Sequence, residues 1–168
     1  MRRLAALVLT ALAAGCVDPG AAPLPDDAFW MVWVHGEEPH PCPGRACGVP
    51  ECDLRFDHGV DRERRAFHHL NASPPADPWL VLAYDVMTVG GCPVAYRHAF
   101  DVERDVQRLG ETTLVLEATR DGTVRVDGVA LRPGESRRVA WTAPGGPAEA
   151  LVEHLGAWKE ADVRTSWP

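Results

Sequence analysis

The first sixteen residues constrain this chain most, because they determine the compartment in which the remaining residues fold. Arg2 and Arg3 form a basic start, and an apolar run from Leu4 to Ala14 ends in small residues. This order of basic start, short apolar run and small residues is the layout of a secretory signal. The run is too short to span a bilayer as a helix, so we expect the signal to be cleaved after export.

The end of this run, Ala13-Ala14-Gly15-Cys16, resembles the lipobox of bacterial lipoproteins. The resemblance implies that Cys16 is acylated, becomes the first mature residue and attaches the protein to membrane lipid. Two acyl chains anchor a protein stably, whereas one gives only reversible binding. In enteric lipoproteins, aspartate directly after the acylated cysteine favours retention in the inner membrane. Here that position is Val17, and the absence of aspartate favours the outer membrane in an organism with two membranes. The alternative is an ordinary cleaved signal followed by a chance cysteine.

Length and composition fit one exported domain in the cell envelope. We predict a signal peptide at residues 1–15, an acylated cysteine with a flexible tether at 16–28, and a single globular domain at 29–168. The tether prediction depends on a stretch rich in proline, glycine and aspartate, which forms no core. The formal charge is -7. An acidic protein is a poor candidate for binding nucleic acid or anionic headgroups.

The cysteines support export independently. The chain has five, and acylation of Cys16 leaves an even number, which in an oxidising compartment predicts disulfides. The candidates are Cys42, Cys47, Cys52 and Cys92. Of the three possible connectivities, we favour Cys42–Cys47 with Cys52–Cys92, because the longer crosslink would fasten an irregular segment to the core.

The same cysteines allow a second interpretation, a metal site in the loop from residue 35 to residue 58. Thiolate and imidazole together suit zinc or copper. The ligand set of this alternative is His35, His40, Cys42, Cys47 and Cys52, with His58, His68, His69 and Cys92 further along the chain. The Cys-x4-Cys-x4-Cys spacing differs from the Cys-x2-Cys pairs of common zinc sites. We therefore predict disulfides, and no metal or other cofactor.

Hydrophobic periodicity predicts an α+β fold, mainly an antiparallel sheet with a C-terminal helix. The disulfides predicted from the cysteines would stabilise this fold. Continuous apolar runs and alternating runs predict the strands. They are Phe29–Val34, Trp79–Met87, Val94–Phe100, Thr112–Thr119, Thr123–Asp127, Val129–Leu131 and Arg137–Thr142, with an edge strand at Val163–Trp167. Asp121-Gly122 and Asp127-Gly128 lie between strands, and Asp-Gly is the strongest short hairpin signal. We expect the strands from Thr112 to Thr142 to form one antiparallel meander.

Three stretches are predicted to be helical. Arg62–Leu70 and Asp101–Leu109 carry short helical stripes, although the second could instead extend a strand. The third helix begins near Pro147, a residue suited to the first helical position. Its apolar stripe is Leu151, Val152, Leu155 and Trp158, and its water-facing residues are Glu149, Glu153 and Lys159.

One internal stretch resembles a known protein family. Asp121–Leu131 is similar to the strand–turn–strand piece in the periplasmic domain of ExbD/TolR energy-transduction proteins. Those proteins need a spanning helix with a buried aspartate to couple to a proton channel. No second apolar run of this chain approaches the length of a spanning helix.

Catalytic signatures are sparse. None of the serines sits in a nucleophile elbow, and there is no His-Glu-x-x-His motif, phosphate loop or dinucleotide fingerprint. Asp85 in an apolar strand and His98 on an apolar face are titratable groups in suggestive places, and we predict structural roles for both. We therefore expect a non-enzymatic binding or structural module that faces envelope proteins or glycans. Metal binding or trafficking through the loop at 35–58 is the alternative function.

Overall fold

The computed structural model describes residues 24–39, 59–61, 66–68, 75–88 and 93–159, and these residues are mainly β-sheet. The strands are β1 (Ala28–Glu38), β2 (Gly59–Asp61), β3 (Ala66–His68), β4 (Leu80–Thr88), β5 (Pro93–Phe100), β6 (Arg104–Leu109), β7 (Thr112–Ala118), β8 (Val124–Val126), β9 (Val129–Leu131), β10 (Ser136–Ala143) and β11 (Gly146–Lys159). Within these ranges no helix is long and apolar enough to cross a membrane.

The strands of the described residues form three sheets. The largest has five strands in the order β10-β11-β1-β4-β5, the second is the four-stranded β6-β7-β8-β9, and β2 pairs with β3. β1 is the middle strand of the largest sheet. It runs antiparallel to β11, from Ala28 opposite Lys159 to Glu37 opposite Glu149, and parallel to β4.

The five-stranded and four-stranded sheets pack face to face as a sandwich. Because successive side chains of a strand point to opposite faces, one face of β1 and β4 supplies the core between the sheets. The shared core includes Trp30, Val32, Val34, Leu80, Leu82, Leu114, Leu116, Val124, Val126 and Val152. Burial of each such valine or leucine contributes about 1.5–3 kcal/mol.

The opposite face of the five-stranded sheet, here called the outer face, carries a second apolar cluster. Its buried members are Phe29, Met31, Val81, Ala83 and Trp158. Because β1 is buried on both faces, its continuous apolar run is explained, and the predicted buried strand at Phe29–Val34 is confirmed. The predicted strand at Trp79–Met87 is also confirmed, since β4 pairs with β1 on one side and with β5 on the other.

Asp101 turns the chain from the first sheet into the second. Its φ of 52° is in the left-handed region, its N–H donates to the Leu80 carbonyl at 3.2 Å, and its Oδ1 accepts from the Trp79 N–H at 2.7 Å. The predicted helix at Asp101–Leu109 is therefore wrong. After this corner β6 pairs in antiparallel register with β7, and extended pairing replaces the helix.

The predicted C-terminal helix is also wrong, because residues 146–159 form β11. Ala143 pairs with Gly146, so the proline–glycine stretch predicted to start a helix is the turn of the β10–β11 hairpin. Further along, Met31 pairs with Gly156 whereas Val32 pairs with His154, so Leu155 is an extra residue in a β-bulge. The φ of Gly156 is 82°. The bulge shifts the alternation by one residue, which produces a pattern with the spacing of a helical stripe.

The remaining predictions have mixed outcomes. Both Asp-Gly turns are confirmed, since β7, β8 and β9 form successive antiparallel pairs. The meander was predicted to continue into β10, but β10 lies in the other sheet. Within the predicted helix at Arg62–Leu70, residues 66–68 form a strand that pairs with β2. The signal, all the cysteines with their predicted disulfides, and Val163–Trp167 lie outside the described residues.

Candidate functional site

A row of polar side chains crosses the outer face of the five-stranded sheet. Its members are Glu153 on β11, His35 on β1, Asp85 on β4 and His98 on β5. His35 is directly opposite Asp85, and His98 is opposite Ala83, two residues before Asp85. The structure thus brings together three residues that sequence analysis had singled out separately. We call this set the polar row.

His35 and Glu153 form the closest pair in the polar row. The Nε2 atom of His35 lies 2.6 Å from Oε2 of Glu153, and the imidazole stacks on the Trp33 indole with ring centroids 3.7 Å apart. A carboxylate bonded to one imidazole nitrogen fixes the orientation of the ring. Within the described residues, the other nitrogen, Nδ1, makes no hydrogen bond.

Sequence analysis missed Glu153 and placed it on the water-facing side of a helix. In the structure it is only 8 % exposed, on a strand rather than a helix. Its neighbour His154 is 1 % exposed and was also missed. An isolated glycine within a strand pattern is a recognised signal of a bulge. Gly156 is such a residue and could have indicated the strand that positions both side chains.

His98 and Asp85 make up the other half of the polar row. Burial lowers the pKa of His98 to about 4, and its ring lies nearly parallel to that of Phe100 with centroids 6.4 Å apart. His98 is therefore neutral at neutral pH. Asp85 is partly buried in the middle of its strand. Both residues are partly buried, and their structural role stays a prediction.

Next to the polar row is a groove of about 730 Å³. It crosses the ends of β1, β11 and β10, and we call it the end groove. Its polar lining residues are His35, Glu37, Glu38, Arg138 and Glu149, and Pro39, Ala140, Pro147 and Leu151 add apolar surface. Because three adjacent strands form it, its shape depends on the sheet itself.

Two side-chain contacts and one close backbone approach shape the end groove. Arg138 Nη1 lies 2.7 Å from Oε1 of Glu149. The carboxylate of Glu38, which is 8 % exposed, accepts a hydrogen bond from Trp141 Nε1 at 3.3 Å. At Gly36 the strands β1 and β11 approach closely, since an ideal Cβ there would lie 2.2 Å from the Glu149 carbonyl oxygen.

A further polar cluster joins the two sheets and is structural. The buried Tyr84 hydroxyl donates to Oδ2 of Asp105. Arg97 Nη2 lies 2.6 Å from Oδ1 of the same carboxylate, and its guanidinium lies 5.3 Å from the centroid of the Tyr84 ring. Burial raises the pKa of Tyr84, with the Asp105 hydrogen bond as the second cause. The phenol therefore stays protonated and serves as a tie between β4 and β6.

Of the five residues in the alternative metal-ligand set, His35, His40, Cys42, Cys47 and Cys52, the structure describes only His35. The cysteines and His40 lie outside the described residues. In the part of the chain that the structure describes, no group of three or more histidine, cysteine, aspartate or glutamate side chains could hold a metal ion.

Comparison with known proteins finds no protein-family model that matches the chain, and no curated protein or solved structure that matches it. Function is therefore inferred from the residues of the polar row and the end groove, together with the N-terminal pattern.

Proposed function

We propose that this protein is a lipid-anchored envelope protein whose β-sandwich is a non-enzymatic binding module. The end groove is its ligand site, and envelope proteins or glycans are its ligands. Acylated Cys16 attaches it to the membrane, with the outer membrane favoured where there are two. The observation that carries the proposal is the end groove, which three adjacent strands of the largest sheet form and which mixes polar and apolar surface.

The titratable groups with shifted pKa values support binding rather than catalysis. A general base or acid works best with a pKa near the operating pH. The pKa of His98, in the polar row, is far below that range, and that of Tyr84, in the core, is raised. Glu153 is bonded to His35, and Glu38 to Trp141. Of these side chains, His35 and Glu38 line the end groove and offer a ligand hydrogen-bonding groups in fixed positions.

Photo-crosslinking in the producing cells tests the end groove. A photoreactive amino acid would replace the exposed Ala140 in the groove. As a control, it would replace the exposed Thr113 on the far side of the other sheet. We expect discrete adducts from position 140, at least about fivefold stronger than from position 113, because only the groove holds a ligand against the reactive group. Equal yields from both positions, or none from position 140, would contradict the proposal.

One observation favours the metal-binding alternative, namely the carboxylate that orients His35. Histidines that bind metals usually donate their second ring nitrogen to a carboxylate or carbonyl. The pair between His35 and Glu153 has that arrangement. In this second candidate function His35, His40, Cys42, Cys47 and Cys52 would hold zinc or copper.

Thiol titration, intact mass and elemental analysis of the purified protein separate the two functions. A sulfur in a disulfide is no longer a thiolate ligand, so the two states compete for the same cysteines. We expect no free thiol after denaturation without reductant, a gain of about four hydrogens on reduction, and no stoichiometric metal. Two or more free thiols with about one equivalent of metal, lost in His35→Ala but kept in His98→Ala, would favour the metal site.

A further inference from the structure

His154 occupies an unusual position in the core between the two sheets. It is 1 % exposed, and both ring nitrogens have partners. Nε2 lies 2.9 Å from the Gly122 carbonyl oxygen, and the Gly156 N–H donates to Nδ1 at 3.1 Å. A carbonyl only accepts and an amide N–H only donates. Nε2 therefore carries the hydrogen, Nδ1 is the acceptor, and the imidazole is neutral.

Only the bond to Gly122 joins different parts of the fold, because Gly122 lies in the β7–β8 turn of the four-stranded sheet. Gly156 lies two residues after His154 in the bulge of β11. The His154 backbone also bonds to the turn before β10, because its carbonyl accepts from Gly134 N–H at 2.7 Å and its N–H donates to the Glu135 carbonyl at 3.0 Å. One residue thus connects both sheets and two turns.

Trp30 completes the connection from the β1 side. Its indole meets the His154 ring edge-on, with centroids 5.7 Å apart and planes at 87°. Its Nε1 donates to the Arg120 carbonyl in the β7–β8 turn at 3.2 Å. Gly122 lies so close that an ideal Cβ there would be 2.5 Å from the indole ring. The β7–β8 turn therefore packs against the indole and is bonded to both the indole and the imidazole.

We propose that His154 is an acid-operated latch between the two sheets. A proton taken up from solvent would bind the lone pair of Nδ1, which now accepts the Gly156 N–H. Two N–H donors would then face each other, and that hydrogen bond would be lost inside the core. That bond lies within β11, and the Nε2–H bond to Gly122 remains, so the charge itself drives the opening, because it is gained by a ring that is only 1 % exposed. The β7–β8 turn then separates from β11 and Trp30, and the charged imidazole reaches water. The latch depends on neither the end groove nor the lipid anchor.

The groups around the His154 ring are consistent with a latch that is closed while the ring is neutral and opens when it takes up a proton. Burial is the largest influence on His154 and lowers its pKa, while the Gly122 carbonyl and the Glu135 carboxylate act in the opposite direction. The neighbouring β9–β10 turn also carries Arg132, whose N–H bonds to Glu135. β1 contributes the uncharged Trp30.

The β7–β8 turn itself carries Arg120 and Asp121. Hydrogen bonds from Thr119 and Thr123 lower the pKa of Asp121. Its carboxylate therefore keeps its charge as the pH falls through the range in which an ordinary histidine titrates. Protonation of the turn's own carboxylate is thus not the event that opens it.

The expected pH dependence follows from proton uptake. Once the latch is open, His154 titrates near its ordinary pKa of about 6.5, whereas in the closed state the pKa is lower. Between these two values only the open state binds the proton. The opening equilibrium should therefore rise by about tenfold for each pH unit from about 6.5 down to the lowered pKa of the closed state, and be independent of pH above about 6.5.

Amide hydrogen exchange of the full chain between pH 7.5 and 4.5, corrected for the intrinsic pH dependence of exchange, tests the latch. In the native protein, protection in the β7–β8 turn and the bulge should fall about tenfold per unit from pH 6.5 down to the lowered pKa of the closed state. His154→Gln keeps a donor and an acceptor but cannot take up a proton, so its protection should not change with pH. His98→Gln removes the other buried histidine and should keep the native slope. Equal slopes in the native and His154→Gln proteins, or no slope in the native protein, would overturn the proposal.

A measurement on the native protein covers the case in which His154→Gln does not fold. The imidazole nitrogens of His154 are followed by NMR through the same pH range. We expect Nδ1 to stay an unprotonated acceptor in the closed state down to a pKa below the ordinary value of about 6.5. A pKa of His154 at or above that value in the folded protein would overturn the latch, because proton uptake would then not favour the open state.

Discussion

Gly36→Ala should lower the free energy of unfolding by about 3 kcal/mol or more, as overpacking that moves backbone can. The added methyl would lie 2.2 Å from the Glu149 carbonyl oxygen and 2.5 Å from the Ala150 Cα. Both are backbone atoms of β11, so no side-chain rotation relieves the clash. The variant must instead part the middle strand of the sheet from its neighbour. A denaturant titration measures the change, and the end groove should deform with it.

Gly128→Ala is the matched control for this prediction. Gly128 has a φ of 78°, yet nothing lies within 4 Å of its ideal Cβ. This substitution carries only the conformational cost of a left-handed residue, about 1–2 kcal/mol. Should both variants unfold at the same denaturant concentration, the close approach of β1 and β11 at Gly36 would be refuted.

Cys16→Ser should abolish labelling of the protein by a fatty-acid analogue and prevent the cleavage that depends on acylation. Serine lacks the thiol that would carry the lipid, so the variant should keep its N-terminal signal. The measurement is labelling of growing cells, with the mass of the native protein and of the variant compared.

Cys92→Ser is the control, because it also removes a cysteine but lies outside the lipobox-like segment. It should keep the full fatty-acid label. Equal labelling of the native protein and Cys16→Ser would show that the cysteine is not the acylated residue, and the N-terminal segment would then be an ordinary secretory signal.

Features encoded over a few neighbouring residues could be predicted from the sequence. The continuous apolar runs at Phe29–Val34 and Trp79–Met87 indicated strands buried on both faces, as observed. The Asp-Gly turns at Asp121 and Asp127 indicated their hairpins. In each case the signal depends on backbone sterics or on burial that the residue types alone reveal.

Features that depend on distant partners could not be predicted. The strand at 136–143 was recognised, but its pairing with β11 instead of β9 is decided by contacts across the whole sandwich. The bulge at Leu155 broke the period of β11, so the apolar stripe at 151–158 had helical spacing. Local periodicity has no way to distinguish a strand with one extra residue from a short amphipathic helix.

In the candidate site, too, single residues could be predicted from the sequence, whereas their arrangement could not. His35, Asp85 and His98 were each notable on sequence grounds, but their proximity depends on the parallel register of β1 and β4 and the antiparallel register of β4 and β5. Those registers are properties of the folded sheet. Glu153 was assigned to solvent because its strand had been predicted as a helix, so the pair it forms with His35 was not anticipated.

The position of β1 has a mechanical consequence. This strand begins at Ala28, towards the proposed lipid anchor, and ends at Glu38, in the end groove. With lipid at one end and a ligand at the other, tension would run along β1 itself. The hydrogen bonds of its ladders lie across the strand direction, so such a pull strains many of them together in shear rather than parting them one at a time. As β1 is flanked by β4 and β11, both ladders would share the force, and the domain would resist extension best along the direction of β1.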